Sequence, residues 1–198
     1  MTTDQALTIL QVDLETTGLD ENTAEIIEVA AIGTTDALTP LFEFTAAVTP
    51  GRAESLTRLR EADAMAMHRE NGLLLDIESG DSSPLTEVES NLIETIDAHR
   101  HPDGPAKIVL AGSGVSHFDF RFIKTHIPNL AQLLHYRPID AGSLRELYRR
   151  TVGHDLTDAN ERKTHRAIDD VRCHLEEAQA FAAVFTDHAA RQQLRNTQ

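Results

Sequence analysis

The sequence predicts an α/β fold in which one mixed sheet of five strands is covered by helices. Three apolar runs with short connections, at residues 7–12, 25–33 and 41–48, have the pattern of an antiparallel meander. Shorter apolar runs at 107–112 and 136–139 alternate with helical patterns, as in sheets with parallel neighbours. We therefore expect three antiparallel strands followed by parallel strands, all within a single domain.

The helices are predicted from apolar residues that recur every three or four positions. They are expected at residues 55–69, from Pro84 to about residue 100, from Ser143 onward in a capping box with Glu146, and from about residue 164 to 186. The polar residues 76–84 are predicted to form a loop. The core should span about residues 7–186, with residues 187–198 as a C-terminal tail.

Composition limits the possible functions. The chain has 198 residues, of which 32 are acidic and 18 basic, a net charge of −14. This charge argues against a protein that coats long nucleic acid with a basic surface. An enzyme that grips only a chain end is compatible with it, because bound divalent ions reverse the local sign of the charge.

The single Cys173 excludes an intrachain disulfide and a thiolate zinc site. With no signal-peptide pattern and no apolar run of membrane-spanning length, we expect a cytoplasmic protein without a membrane partner.

Two carboxylates, Asp13 and Glu15, follow the first apolar run. On a strand, side chains two residues apart point to the same face, so these two anions converge. Converging carboxylates need a proton or a cation, and Mg²⁺ or Mn²⁺ is the natural ion for an all-oxygen site. Taken alone, such a pair is more often a solvated strand end.

Two more aspartates and a histidine could complete the site. Asp119 opens an apolar segment after the fourth strand, where it could also be a helix-capping residue. At about 100° per residue, Asp170 lies on the flank of the apolar stripe of the last helix, whereas Asp169 points away from it. His165, at the start of that helix, could accept a proton near neutral pH, although a lone histidine there is more often a surface residue. Together these groups would suit a pair of metal ions about 4 Å apart that cleaves phosphodiesters.

The motifs resemble those of a known family. Residues 13–19 (DLETTGL), Phe118-Asp119 and His165-x-Ala167-x-x-Asp170 are similar, in type and order, to the three motifs of the DEDDh family of 3′→5′ exonucleases. This resemblance implies a ribonuclease-H-like fold with helices on both faces of the sheet. It also implies two Mg²⁺ or Mn²⁺ ions held by Asp13, Glu15, Asp119 and Asp170, with His165 as the general base.

Within that family the chain is most similar to the oligoribonucleases, through residues 68–74, 135–147 and 165–172. The resemblance implies that Leu19 wedges against a terminal base. It also implies that Tyr136 and Arg137 cap a phosphate of the substrate, in part across the interface of a homodimer. Without the resemblance, Tyr136 would be assigned to the core and Arg137 to a surface ion pair. Thr16 and His68 complete the candidate substrate-binding residues.

The predicted partner is short single-stranded nucleic acid, RNA in preference to DNA, from which the enzyme would release 5′-nucleoside monophosphates. Two alternatives stay open. The first is a DNA-directed exonuclease of the proofreading or repair type, because Thr16 stands where oligoribonucleases have Met and the chain lacks their wedge Trp. The second is a non-catalytic module that binds nucleic-acid ends or a protein partner, which would typically lack a metal ligand or the base.

Overall fold

The computed structural model of the protein describes residues 6–158 and 164–196. These residues contain six strands: β1 (Ile9–Thr16), β2 (Ile26–Thr34), β3 (Pro40–Val48), β4 (Ser82–Ser83), β5 (Val109–Gly112) and β6 (Ile139–Asp140). All six lie in one sheet in the order β4-β3-β2-β1-β5-β6. β1 pairs with β2, and β2 with β3, in antiparallel fashion, whereas β5 is parallel to β1 and to β6. The predicted mixed α/β sheet, antiparallel first and parallel later, is confirmed.

The sixth strand, β4, was not predicted. Its two residues are parallel to the end of β3, with Val48 opposite Ser83. The pairing continues past the strand, since the Thr49 backbone N–H donates to the Ser83 carbonyl at 2.9 Å. Two serines have no apolar periodicity, so their pairing depends on the neighbouring strand edge and not on local pattern.

Eight α-helices are described: α1 (Ala53–Glu61), α2 (Ala66–Glu70), α3 (Leu73–Ser79), α4 (Leu85–His99), α5 (Asp119–His126), α6 (Pro128–Leu133), α7 (Ala141–Val152) and α8 (Ala167–Asn196). The prediction of a loop over residues 76–84 is wrong at both ends, because residues 76–79 belong to α3 and Ser82–Ser83 form β4. α3 ends at Ser79, and Gly80, which follows it, has φ 89°, the left-handed conformation that terminates many helices.

The predicted helix over residues 55–69 is broken into α1, a short 3₁₀ turn and α2. The chain is extended at Ala62, with φ −73° and ψ 132°. The Arg69 guanidinium reaches back across this break and donates to the carbonyls of Leu59 at 2.9 Å and Ala62 at 3.0 Å. A side chain of the next helix thus satisfies carbonyls that a continuous helix would have bonded internally.

Two later helices differ from prediction at their ends. α7 begins at Ala141, because the Asp140 side chain accepts from the Ser143 backbone N–H at 3.0 Å and caps the helix three residues before the expected cap, Ser143. α8 runs from Ala167 to Asn196, so residues 187–196 are helical and not a tail. This end is rich in Ala, Arg, Gln and Leu, which have high helix propensity.

Helices cover both faces of the sheet, as the family resemblance implies. On one face, α8 packs Val171, Leu175 and Ala178 against β1 and β2. On the other, α4, α5 and α6 pack against Leu10 and Val12 of β1 in the largest apolar cluster. The alternation of β1 therefore directs its odd-numbered side chains, Asp13 and Glu15 among them, toward α8. Among the described helices, none is long and apolar enough to cross a membrane.

Candidate active site

The end of β1 forms the first wall of the candidate site. Glu15 is 8% exposed, and Asp13 is only partly exposed. An Asp13 carboxylate oxygen lies 3.8 Å from Nδ1 of the buried His174, one helical turn beyond Asp170 on α8. The two carboxylates thus lie on the face of β1 that meets α8, as the sequence predicts.

Asp119 reaches the same strand from the other side. It is the first residue of α5 and is 4% exposed. Its Oδ1 accepts a hydrogen bond from the Leu14 backbone N–H at 3.1 Å, between Asp13 and Glu15. Because this bond crosses 105 residues of sequence, it is a tertiary contact and not a local helix cap. Asp119 therefore lies beside the two β1 carboxylates.

The start of α8 supplies the remaining groups. Asp170 is 3% exposed, and its Oδ1 accepts from the Thr164 backbone N–H at 3.2 Å. One donor atom from each of Glu15, His165 and Asp170 lies within 4.8 Å of the other two. Asp13 and Asp119 adjoin this group, because Asp13 lies on the same face of β1 as Glu15 and Asp119 binds the Leu14 N–H between them.

This donor set fits a hard divalent cation. Carboxylate oxygens with one imidazole nitrogen are ligands that Mg²⁺ and Mn²⁺ accept, and their spacing would allow a single ion to contact several of them. The residues predicted from sequence therefore come together at the carboxyl end of β1, from β1, α5 and the start of α8.

Comparisons with known proteins identify the family of the chain. The exonuclease family model matches residues 10–178. The chain belongs to the exonuclease family. Its sequence relatives include the oligoribonuclease of Actinobacillus pleuropneumoniae serotype 5b, 36% identical over 89% of this chain and 93% of that protein. The oligoribonucleases of Pasteurella multocida (35% identical, 91% of this chain and 92% of the relative) and Corynebacterium diphtheriae (34%, 82% and 76%) are similar in the same way.

Solved structures share the fold. Exonuclease I from Methylocaldum szegediense superposes with a TM-score of 0.59 at 17% identity, over 88% of this chain and 40% of that one. Exonuclease I of E. coli in complex with a dT13 oligonucleotide gives a TM-score of 0.58 at 16% identity, over 92% and 44%. The chain thus spans about two fifths of these exonucleases, and the likeness establishes an exonuclease-type fold.

In this exonuclease-family chain His68 is a buried neighbour of Glu15. It is 1% exposed, and its Nε2 lies 3.7 Å from a Glu15 carboxylate oxygen. Burial, together with the nearby His165, lowers the pKa of His68 to about 4, so its ring is neutral near pH 7. This position supports the Glu15 side chain, whereas the predicted contact of His68 with substrate stays a prediction.

The other predicted substrate residues are distributed around the site. Leu19 is 80% exposed on the turn after β1. Thr16 is buried, and its hydroxyl donates to the Gly18 carbonyl at 2.7 Å, so it shapes that turn. Tyr136 is 67% exposed, and the Arg137 guanidinium carbon lies 5.0 Å from the centre of its ring, a cation–π contact. Tyr136 therefore does not fill the core.

Two buried polar residues of the site, Glu28 and His174, were not singled out by sequence reasoning. Glu28 is 0% exposed and lies directly opposite Glu15 in the β1–β2 ladder. His174 is 2% exposed and faces Asp13. A glutamate inside the apolar run of residues 25–33 is a signal that could have found Glu28. His174, on the apolar side of α8, could have been found from the same helical wheel that selected Asp170.

Proposed function

We propose that the protein is a divalent-metal-dependent 3′→5′ exonuclease that hydrolyses short RNA and releases 5′-nucleoside monophosphates. The observation that carries the proposal is the meeting of Glu15, His165 and Asp170 within 4.8 Å, beside Asp13 and Asp119, in a chain of the exonuclease family. The oligoribonuclease names of the relatives support short RNA as the substrate class. We extend the proposal to residues 1–198 as one exonuclease domain.

In the proposed mechanism, Asp13, Glu15, Asp119 and Asp170 would hold two Mg²⁺ or Mn²⁺ ions. The chemistry that such ions would supply is activation of the attacking water and stabilisation of charge on the departing oxygen. His165 takes the proton of that water, for which its exposed position at the rim of the buried carboxylates is suited. Asp119 also orients the end of β1 through its bond with the Leu14 N–H.

Substrate is proposed to bind along the exposed side of the site, at the carboxyl end of β1. The protruding Leu19 side chain would stack against a terminal base. Tyr136 and Arg137, held together by their cation–π contact, would cap a phosphate of the short chain. We place this pair in part at the active site of a second copy of the chain, because the resemblance to oligoribonucleases implies a homodimer. A cytoplasmic location belongs to the same proposal.

The test compares the release of a labelled 3′-terminal nucleotide from two-residue and roughly twenty-residue RNA and DNA, with Mn²⁺ and after chelation. We expect metal-dependent release, fastest on the two-residue RNA. Faster turnover of the long DNA would replace the RNA proposal with the DNA-directed alternative. Absence of metal-dependent release from all four substrates would favour a non-catalytic module.

A further inference from the structure

The turn that carries His165 has an unusual backbone. His165 has φ 56°, in the left-handed region that residues with a Cβ avoid. Leu38 is the one other non-glycine residue with positive φ in the described ranges. Such a conformation persists only where the surrounding structure determines it. The residues that hold this turn therefore determine where the His165 ring lies relative to Glu15 and Asp170.

One side of the turn is held by Glu28. Its Oε2 accepts from the Ala167 backbone N–H at 2.8 Å, and its Oε1 accepts from Arg166 Nε at 3.0 Å and lies 2.9 Å from the second guanidinium nitrogen. Both residues that follow His165 are thus bound to one carboxylate. Because Glu28 has no exposed surface, this carboxylate cannot be replaced by solvent without opening the core.

The other side is held by the junction between α2 and α3. The Asn71 side-chain amide donates to the His165 carbonyl in a short hydrogen bond and to the Thr164 carbonyl at 3.4 Å. The Asn71 carbonyl accepts from Arg166 at 3.4 Å, and Asp76 pairs with the same guanidinium at 2.8 Å. Arg166 therefore joins β2 to this junction across the base of the turn.

Arg166 also compensates the negative charge of Glu28 beside Glu15. Glu15 and Glu28 are directly opposite in an antiparallel pair, so their side chains lie on the same face and repel. The Arg166 guanidinium binds Glu28 and compensates its charge, which leaves Glu15 directed toward His165 and Asp170. Glu28 is for this reason a partner of Arg166 and not a further metal ligand.

We propose that Arg166, bound by Glu28, Asn71 and Asp76, is a positioning residue that holds the His165 turn in its left-handed conformation. We call these four residues the Arg166 clamp. The proposal rests on the proposed function, since His165 has to accept a proton for its position to affect the rate. The proposal also gives a role to Asp76, the first residue of the segment 76–84, which the sequence predicted only to be a loop.

The test is Arg166→Lys, which keeps the positive charge and loses the planar set of donors that bridges Glu28 and Asp76. We expect kcat to fall by about 10- to 100-fold, as for misplacement of a catalytic group by about 1 Å, with KM and the Mn²⁺ requirement unchanged. The matched control is Arg172→Lys, one and a half turns along α8, where Arg172 pairs with Glu43 and Asp169 on the exposed face. The control should retain wild-type kcat.

A double-mutant cycle separates positioning from general structural damage. His165→Ala removes a group that contributes about 10²–10⁴-fold as a general base. In that background Arg166→Lys should change kcat by less than about twofold, because the residue it positions is absent. An equal loss with and without His165, or wild-type kcat in Arg166→Lys, would overturn the proposal. If circular dichroism shows that Arg166→Lys does not fold, Asn71→Asp takes its place in the cycle. This substitution keeps the oxygen that accepts from the Leu73 N–H at 3.1 Å and removes the amide that donates to the His165 carbonyl.

A measurement without metal or substrate keeps this proposal distinct from the proposed function. The imidazole ¹H–¹³C resonance of His165, assigned by its loss in His165→Ala, should shift or broaden in Arg166→Lys and be unchanged in Arg172→Lys. An unchanged resonance in Arg166→Lys would refute the clamp whatever the activity. If the wild-type chain released no nucleotide but the resonance moved as expected, the proposed function would fail and the structural part of the clamp would stand.

Discussion

Asp169 and Asp170 are adjacent in α8 and differ in their surroundings, so they form a matched pair. Asp170 is 3% exposed and approaches Glu15 and His165, whereas the Asp169 side chain is 42% exposed and pairs with Arg172. We expect Asp170→Ala to abolish metal-dependent nucleotide release, because a proposed metal ligand is lost. Asp169→Ala should keep activity within about threefold, since both its ion pair with Arg172 and the hydrogen bond it accepts from the Thr164 hydroxyl at 2.9 Å are exposed and contribute little.

The measurement is nucleotide release at saturating Mn²⁺, with Mn²⁺ affinity determined by calorimetry and folding by thermal unfolding. Asp170→Ala should bind Mn²⁺ more weakly while remaining folded. Full activity in this variant would remove Asp170 from the proposed site, and equal losses in the two variants would point to damage to α8 instead of loss of a ligand.

At the residue scale, the sequence distinguished Asp170 from Asp169 because helical periodicity fixes which side of α8 each one occupies. It could not identify the Arg166 clamp, whose members come from β2, the α2–α3 junction, α3 and the turn before α8 and meet only in the folded chain. Nor could it place His68 behind Glu15, because no local pattern distinguishes a buried histidine from an exposed one.

Among the elements, the connection between β5 and α5 depends on Asp140 at the end of β6. The Asp140 carboxylate accepts from the backbone N–H groups of Gly114 at 3.1 Å and Ser116 at 3.2 Å, from the Ser116 hydroxyl at 2.6 Å, and from Ser143 at 3.0 Å. Burial opposes ionisation, but these hydrogen bonds outweigh it and lower the pKa of Asp140 below its usual 3.8. One side chain therefore fixes both the start of α7 and the loop leading to Asp119.

Asp140→Asn is expected to reduce the free energy of unfolding by about 1–3 kcal/mol near pH 7, because an amide cannot accept all of these bonds. A carboxyl whose pKa is lowered by folding stabilises the protein above its unfolded pKa and loses that effect as the pH falls through the folded value. The difference between wild type and variant should thus shrink below about pH 4. Urea unfolding at several pH values measures it.

Asp103→Asn is the control for this prediction, since the Asp103 side chain is 86% exposed in the turn before β5. It should change the free energy of unfolding by less than about 0.5 kcal/mol at any pH. A difference for Asp140→Asn that stayed constant down to pH 3 would mean that the charge of Asp140 does not contribute.

At the element scale, prediction succeeded where an element is long and periodic and failed where tertiary partners decide. The three long strands and α4 follow from apolar spacing. The break at Ala62 is bridged by Arg69 from the next helix, and α7 starts directly after Asp140, whose carboxylate is also held by Gly114 and Ser116 of a separate loop. The helical end of α8 was missed because propensity, not apolar periodicity, favours it.

Over the whole molecule, negative charge is in excess and many arginines are already paired. Arg60, Arg145 and Arg172, for example, lie within 3 Å of a carboxylate oxygen, at 2.6, 2.7 and 2.5 Å. With a net charge of −14, few cations are left to follow a long phosphate backbone. The surface thus favours a substrate that is gripped at its end through the proposed ions and a small number of further contacts.

The salt dependence of kcat/KM tests this whole-molecule property. For single strands, the slope of log affinity against log salt is about −0.7 for each phosphate contact. With Mn²⁺ held constant and KCl varied, we expect a slope between about −0.7 and −1.4 for roughly twenty-residue RNA, corresponding to one or two contacts. A slope steeper than about −4 on this RNA would require about six contacts and a basic path along the surface. A slope within the expected range would instead mean that nucleotides beyond the terminal ones add no phosphate contact, as an enzyme that grips only chain ends requires.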